Sequence, residues 1–344
     1  MVRAGNHVYS HPNRLNHHQP VPMQLFRHLD GLPDTLKGGV VAIGNFDGVH
    51  LGHRIVLDEA KEAARQLHAP VGVLSFEPHP RSLFRPDDPP FRLTPFRARA
   101  HLLQALGVEF HIVLTFDQAF SEHSAEDFVR DVLVDALSVR HVVIGYDFHF
   151  GHRRRGNADL LRAMGAELGF GVSVVTQAGD ETGDVYSSSR VRELLRQGDA
   201  PGAAGLLGRN WAIEGRVEQG DRRGRELGYP TANVGLGDHL RPAFGVYAVR
   251  CAIEPADGAP AHWRDGVANL GIRPMWRTDE PMLEVHLFDF DADLYGKHVI
   301  VELVERLRDE ARFDTVEALV SQMDQDAAAA RRTLSQPSHD QRSA

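Results

Sequence analysis

The stretch Val40-Val41-Ala42-Ile43-Gly44-Asn45-Phe46-Asp47-Gly48-Val49-His50-Leu51-Gly52-His53 decides the fold of the first half of the chain. Four apolar residues read as a short buried strand. Glycines at 44, 48 and 52 allow tight turns and close backbone approach. Helical apolar spacing follows at Ile55, Val56, Ala60, Ala63 and Ala64. A strand that passes through a glycine-rich loop into a helix aims free N–H groups and a partial positive charge at an anion. His50 and His53 at that junction would face the same anion and stabilise charge developing on a transferring phosphoryl group. The plainer alternative is a tight turn carrying surface histidines. A zinc site on the pair lacks a third ligand nearby in sequence.

Outward from this stretch the alternation continues. Runs at 71–76, 111–114, 141–144 and 172–175 read as strands, and 97–106, 125–137 and 157–168 as helices, with Ser124 as an N-cap. Short β-rich runs separated by helices imply a doubly wound α/β domain, its parallel sheet covered on both faces and binding ligands beyond the strands' C-terminal ends. The texture changes near residue 206. Alternating runs at 211–217, 245–253, 266–269, 283–288 and 299–307 imply an antiparallel barrel or sandwich. A helix over 315–334 closes the chain, with Asp314 as N-cap and Glu317 as capping-box partner. Residues 1–22 read as a disordered lead-in, with Met23 expected as the native start, and 335–344 as a frayed tail. The domains are expected at 23–205 and 206–334.

Composition narrows the function. The chain has 344 residues and a formal charge of −9, which argues against a dedicated nucleic-acid binder. No apolar run reaches the roughly 18 residues of a membrane span. The start lacks the apolar core of a secretory signal. Cys251 is the only cysteine, which excludes an internal disulfide and an iron–sulfur cluster. Within VYAVRCAI it reads as a small buried hydrophobe, in a chain suited to the reducing cytoplasm. Lys37, Lys61 and Lys297 are the only lysines, and none completes G-x-x-x-x-G-K-[ST], so there is no Walker loop. ATP, if handled, must be held by amides, histidine, arginine and hydroxyls.

Further candidates cluster at the expected strand ends. Ser187-Ser188-Ser189-Arg190-Val191-Arg192 opens a helix and could clamp a triphosphate; equally, Ser187 could cap the helix with Arg190 and Arg192 solvated. Asp147, in Gly145-Tyr146-Asp147-Phe148-His149-Phe150-Gly151, could bind a ribose or a metal-bound phosphate, or cap a turn. His79, in Phe76-Glu77-Pro78-His79-Pro80, could touch substrate or belong to a rigid turn. Arg153, Arg154 and Arg155 read mostly as a solvated face. In the second half, Gly215, Gly220 and Gly224 form a flap before Pro230-Thr231-Ala232-Asn233. The Thr231 hydroxyl and Asn233 carbonyl, two apart on a strand, suit a hydrated Mg²⁺ carrying ATP phosphates. Glu284 and His286 share the polar face of an apolar strand. Glu284 could deprotonate a hydroxyl attacking a γ-phosphate, or could answer a basic cross-strand neighbour. His286 reads as structural.

His50-Leu51-Gly52-His53 resembles the signature of nucleotidyltransferases that bind ATP with paired histidines. The wider string from Gly44 is similar to the bacterial bifunctional riboflavin kinase/FAD synthetase family. The segments at 76–80, 145–151 and 187–192 follow in the family's order. The glycine flap with Pro-Thr-Ala-Asn resembles the riboflavin kinase signature. Segments at 245–248, 268–274, 283–287, 293–296 and 306–310 continue the match, which covers about residues 23 to 334. The chain departs from the family at Tyr186, Ser189, Met275 and Trp276.

The resemblance implies a Rossmann-like nucleotidyltransferase domain and a riboflavin kinase barrel with a closing helix. It implies that riboflavin and MgATP give FMN and ADP, and that FMN and a second ATP give FAD and pyrophosphate. Gly44, Asn45, Phe46, Asp47, Gly48, His50, His53, Asp147, Ser187, Ser188, Arg190 and Arg192 would then serve ATP, and His79 and Arg154 the flavin. In the barrel, Gly215, Gly220, Gly224, Pro230, Thr231, Asn233 and Arg308 would hold the substrates, Thr231 and Asn233 the Mg²⁺, and Glu284 would be the base. The partners implied are riboflavin, FMN and ATP, with no nucleic acid and no membrane; self-association into a homo-oligomer is left open. The rivals are a different adenylyltransferase fused to a non-catalytic barrel and a flavin-binding regulator.

Overall fold

The computed structural model describes residues 22–179, 183, 185–219, 228–254, 262–272 and 280–336. The expected lead-in up to residue 21, the tail from 337, Gly220, Gly224, Met275 and Trp276 lie outside these residues.

Strands β1 (Gln24–Phe26), β2 (Val40–Ile43), β3 (Val71–Glu77), β4 (Phe110–Thr115), β5 (His141–Gly145) and β6 (Gly171–Val175) form one sheet in the order β1-β4-β3-β2-β5-β6. Every pairing is parallel. All four residues of β2 are buried, because both sheet faces are covered. Helix α1 (Leu51–Leu67) places Val56, Leu57, Ala60 and Ala64 on one face. The helical segment 125–136 covers the other, capped by Ser124, whose hydroxyl accepts from the Asp127 amide. From Phe128 it widens into π-helical turns that lay Phe128, Val129, Val132 and Leu133 on the sheet. The chain moves from β2 through β3 to β4 on one side, then to β5 and β6 on the other. The loop after β2 therefore opens at the point where strand order reverses, where open parallel sheets bind ligands.

The second half resolves the sequence alternatives in favour of a barrel. Strands β7 (Trp211–Glu218), β8 (Ala232–Gly235), β9 (Gly245–Ile253), β10 (His262–Ile272), β11 (Pro281–Leu287) and β12 (His298–Arg308) close in the order β10-β11-β8-β7-β12-β9. Closure leaves no free sheet edge. Cys251 is buried there, and burial pushes its thiol up to about 12, so it behaves as a small hydrophobe. The closing helix runs over Val316–Leu334, and its N-cap is Thr315 rather than Asp314. The Thr315 hydroxyl accepts from the Ala318 amide at 3.1 Å, which puts Ala318, not Glu317, at the capping-box position. Among the described residues, no helix is long and apolar enough to cross a membrane.

The two halves share a core. Helices α2 (Ser188–Gln197) and α3 (Ala200–Leu207) put Val191, Leu195 and Leu207 in the same apolar cluster as Trp211, Ile213 and Leu303 of the barrel, and Leu93 of the sheet half joins them. The Trp211 indole donates to the Leu93 carbonyl at 2.8 Å, and the Leu240 amide to the Arg92 carbonyl at 2.7 Å.

Gly72 shows how tightly the sheet is packed. A Cβ there would lie 2.1 Å from the Phe110 ring on the neighbouring strand. Gly72→Ala is expected to cost about 1–3 kcal/mol of stability, measured by urea denaturation.

Candidate active sites

The loop from Gly44 to His50 joins β2 to α1 in a strained path. Phe46 and Val49 have φ of 49° and 42°, and Gly48 has 88°. Positive φ is rare for a β-branched residue such as Val49, and such conformations persist only where the surroundings fix them. One fixing group is Asp47, 2% exposed. Its carboxylate accepts from the amides of Leu93 and Thr94, both at 2.9 Å, and from the Arg192 guanidinium at 2.5 Å. Thr94 returns a contact, its hydroxyl accepting from the Gly48 amide at 2.8 Å. Burial alone would push the Asp47 carboxyl up. Arg192, Arg92 and the amides of Thr94 and Leu93 more than offset that, and it lies below the ordinary 3.8.

At the end of this loop His50 caps α1, with Nδ1 accepting from the His53 amide at 3.3 Å. That bond leaves the proton of a neutral His50 on Nε2. The His50 and His53 rings stack with centroids 3.7 Å apart. Gly52 makes this possible, since a Cβ there would lie 3.1 Å from both His50 Nδ1 and the Tyr186 backbone. Burial, with Arg192 and Arg209, pulls His50 down to about 4 against the opposing pull of Asp47. Burial, with His50 and the same arginines, holds His53 well below its ordinary value. Both rings are therefore neutral near pH 7, beside a helix N-terminus and several arginines. A bound polyphosphate would add the negative charge this setting favours.

The residues expected to clamp a triphosphate are largely engaged with the protein itself. Ser187 caps α2, its hydroxyl accepting from the Arg190 amide at 3.2 Å. Ser188 donates to the Asp47 carbonyl at 2.8 Å, Arg190 pairs with Glu193 at 3.0 Å, and Arg192 is held by Asp47 and the Phe91 carbonyl. Asp147 is exposed after β5, and the Phe148 and Phe150 rings beyond it stack at 5.5 Å. Arg154 is exposed with φ of 59°. His79 caps a short helix, Nδ1 accepting from the Arg81 amide, and burial and nearby Arg92 draw it down to about 4. Beyond β3 and β4 stands an aromatic group: Phe84, 64% exposed, meets Phe116 edge-on at 6.0 Å, and Phe116 meets Phe76 and Phe120 at 5.8 Å.

The barrel carries a second site. A cavity of about 330 Å³ is lined by Tyr229, Thr231, Asn269, Glu284, His286 and Arg308, among others, and reaches Asp326 on the closing helix. Leu283, Val285 and Leu287 turn into the barrel core while Glu284 and His286 face the cavity. Glu284 is in register with Asn233 on β8 and Asn269 on β10, which makes a polar row across three strands. Asn233 is 6% exposed and its Oδ1 has no hydrogen-bond partner. A buried, unsatisfied carbonyl two residues from a cavity-lining hydroxyl fits a hard cation that brings its other oxygens with it. His286 donates from Nδ1 to the Pro230 carbonyl at 2.9 Å and so pins the Thr231 segment. Arg308 is clamped by Asp326 at 2.9 and 2.7 Å, which ties the cavity wall to the closing helix. Gly215 lies within β7.

The chain is similar to curated enzymes that carry two activities. A bifunctional riboflavin kinase/FMN adenylyltransferase of Escherichia coli (strain K12) is 41% identical over 310 residues, covering 90% of this chain and 97% of the relative. The enzyme of that name from Pseudomonas fluorescens is 42% identical over 318 residues, covering 92% and 100%. The chain belongs to the bifunctional riboflavin kinase/FMN adenylyltransferase family. Residues 32–190 match the FAD synthetase family and 207–334 the riboflavin kinase family. A solved structure described as a macrolide-efflux protein from Streptococcus pneumoniae has the same fold, with a TM-score of 0.79 at 30% identity, covering 90% of this chain and 99% of that one.

Several residues of this family member escaped the sequence reading. Glu77 takes a bidentate pair from Arg92 at 2.9 and 3.0 Å and another bond from the fully buried Arg99 at 2.7 Å. Arg99 also holds the Asn45 carbonyl at 3.0 Å. With Asp47 and Arg192 these make a buried network of two carboxylates and three arginines under the loop. The available signal was Arg92 and Arg99 within Phe91-Arg92-Leu93-Thr94-Pro95-Phe96-Arg97-Ala98-Arg99; the structure buries both and leaves Arg97 exposed.

Asp47→Asn leaves Arg192 with no buried counter-charge, and is expected to lose about 3–5 kcal/mol at neutral pH in urea denaturation. The folded carboxyl lies below 3.8, so its stabilisation is complete above that pH and fades as pH falls through the folded value. The gap between wild type and variant should therefore narrow below pH 3.8.

Proposed function

We infer that the chain converts riboflavin and ATP to FMN and ADP in the barrel, and FMN and a second ATP to FAD and pyrophosphate on the sheet. The carrying observation is that one chain presents both the stacked histidine pair at the helix start after β2 and the Asn233–Glu284–Asn269 row, whose Glu284 and Asn269 line the barrel cavity.

The two steps ask different things of the protein. In the kinase reaction the primary hydroxyl of riboflavin must lose a proton as it attacks the γ-phosphate. Glu284, facing the cavity, is the group that takes it. Thr231 and Asn233 would hold the Mg²⁺, which would neutralise phosphate charge when bound. In the adenylyl step the FMN phosphate is already an anion and attacks the α-phosphate directly, releasing pyrophosphate. No protein base or nucleophile is needed. The loop and the α1 N-terminus position the nucleotide, and His50 Nε2–H with His53 stabilises the charge that develops. Phe84 and Phe116 offer the flavin ring an aromatic surface at the sheet's C-terminal edge. A cytoplasmic setting belongs to the same reading, since the single, buried cysteine calls for no oxidising compartment.

Chromatography of flavins after incubation with riboflavin, ATP and Mg²⁺ tests the reading. Glu284→Gln should slow FMN formation by about 10²–10⁴-fold while supplied FMN still becomes FAD. His53→Ala should let FMN accumulate and slow FAD formation by about 10²–10³-fold. Loss of both reactions in either folded variant would contradict this division of labour.

A further inference from the structure

Arg209 stands three residues inside the riboflavin kinase match, which opens at residue 207, and two residues before the first barrel strand. Its side chain nevertheless points into the adenylyltransferase half. One guanidinium nitrogen donates to the Gly48 carbonyl at 2.7 Å. The other donates to the Val49 carbonyl at 3.1 Å and, more weakly, to Leu207 at 3.4 Å. Gly48 and Val49 are the positive-φ residues immediately before His50. We propose that Arg209 is a positioning residue for adenylyl transfer, supplied to the nucleotide loop by the kinase half of the chain.

The argument is one of constraint. Asp47 and Thr94 hold the loop through its side chains and amides, but they do not touch the carbonyls of Gly48 and Val49. Arg209 does, by two nitrogens of one rigid plane. Two fixed carbonyls set the peptide planes on either side of Val49, and so set where the His50 ring leaves the backbone. The loop also packs on side chains of the shared core. A Cβ on Gly48 would lie 2.8 Å from Leu93 and 3.5 Å from Leu207. Trp211, in β7, holds the Leu93 carbonyl and extends the same grip into the barrel. Arg54, Glu302, His50 and His53 are the charged or titratable groups facing Arg209. Without Arg209, Val49 is free to relax toward negative φ, and His50 turns away from the position the α-phosphate requires.

This rests on the functional reading above, so the test measures both activities in the same full-length protein. Arg209→Met removes both bonds and the charge. Arg209→Lys keeps the charge but replaces the rigid two-pronged plane with a single rotatable ammonium on a flexible stem. For both variants the kcat of FMN adenylylation is expected to fall at least tenfold, more than KM for ATP rises, with riboflavin phosphorylation within twofold of wild type. Rescue by Arg209→Lys to the wild-type rate would show that charge, not positioning, matters and would overturn the proposal. So would an unchanged kcat for adenylylation in Arg209→Met, or parallel loss of both activities in Arg209→Lys. Should Arg209→Met fail to fold, Arg209→Lys and Trp211→Phe carry the test, the latter with the same expected loss confined to adenylylation. A wild-type protein without adenylylation would instead overturn the functional reading itself.

Discussion

The buried ion pair of Asp47 and Arg192 joins three segments that lie far apart in sequence: the loop after β2, the strap at 91–94, and helix α2. A carboxylate so deeply buried is tolerable only because every side of it is answered, by an arginine or by a backbone amide. The consequence is local and directional. The strained path through Phe46 and Val49 is held from beneath, and the start of α1 is aimed along with it. Much of the chemistry assigned to the sheet depends on that aim, since the imidazoles lie on the residues that follow.

The two sites differ because their nucleophiles differ. A phosphate attacking a phosphate arrives ionised, and needs amides, imidazole N–H groups and nearby arginines to offset accumulating negative charge. An alcohol arrives protonated and needs a base, the role proposed for Glu284 on a strand whose alternate residues are locked in the barrel core. Rigid strands suit the one and a helix N-terminus the other. Their union is more than tethering: Leu93, Val191, Leu207 and Trp211 occupy one apolar cluster, so the sheet and barrel halves fold against a common core.

How legible this was in the sequence varied with the range of the interaction. The glycines at 44, 48 and 52 and the His50–His53 spacing report local geometry, and the loop, cap and helix follow from them. The alternation around Glu284 likewise foretells which face it takes. Asp47 and Arg192, in contrast, each sit in a motif that suggests a ligand contact or, for Arg192, a solvated charge, while their mutual contact spans 145 positions and leaves no local trace. Glu77, Arg92, Arg99 and Arg209 are further cases, since each looks like an ordinary surface charge until the fold supplies its partner. Asp314 was a competition between adjacent capping residues, and the backbone turned at Thr315.

The most direct test of the central claim follows labelled phosphate from ATP into the flavins of the wild-type protein, incubated with riboflavin and Mg²⁺. With label at the γ-position, both FMN and FAD should become radioactive. With label at the α-position, FAD alone should carry it. An α-label that never enters FAD would contradict adenylyl transfer by the sheet, and unlabelled FMN from γ-labelled ATP would contradict phosphoryl transfer by the barrel.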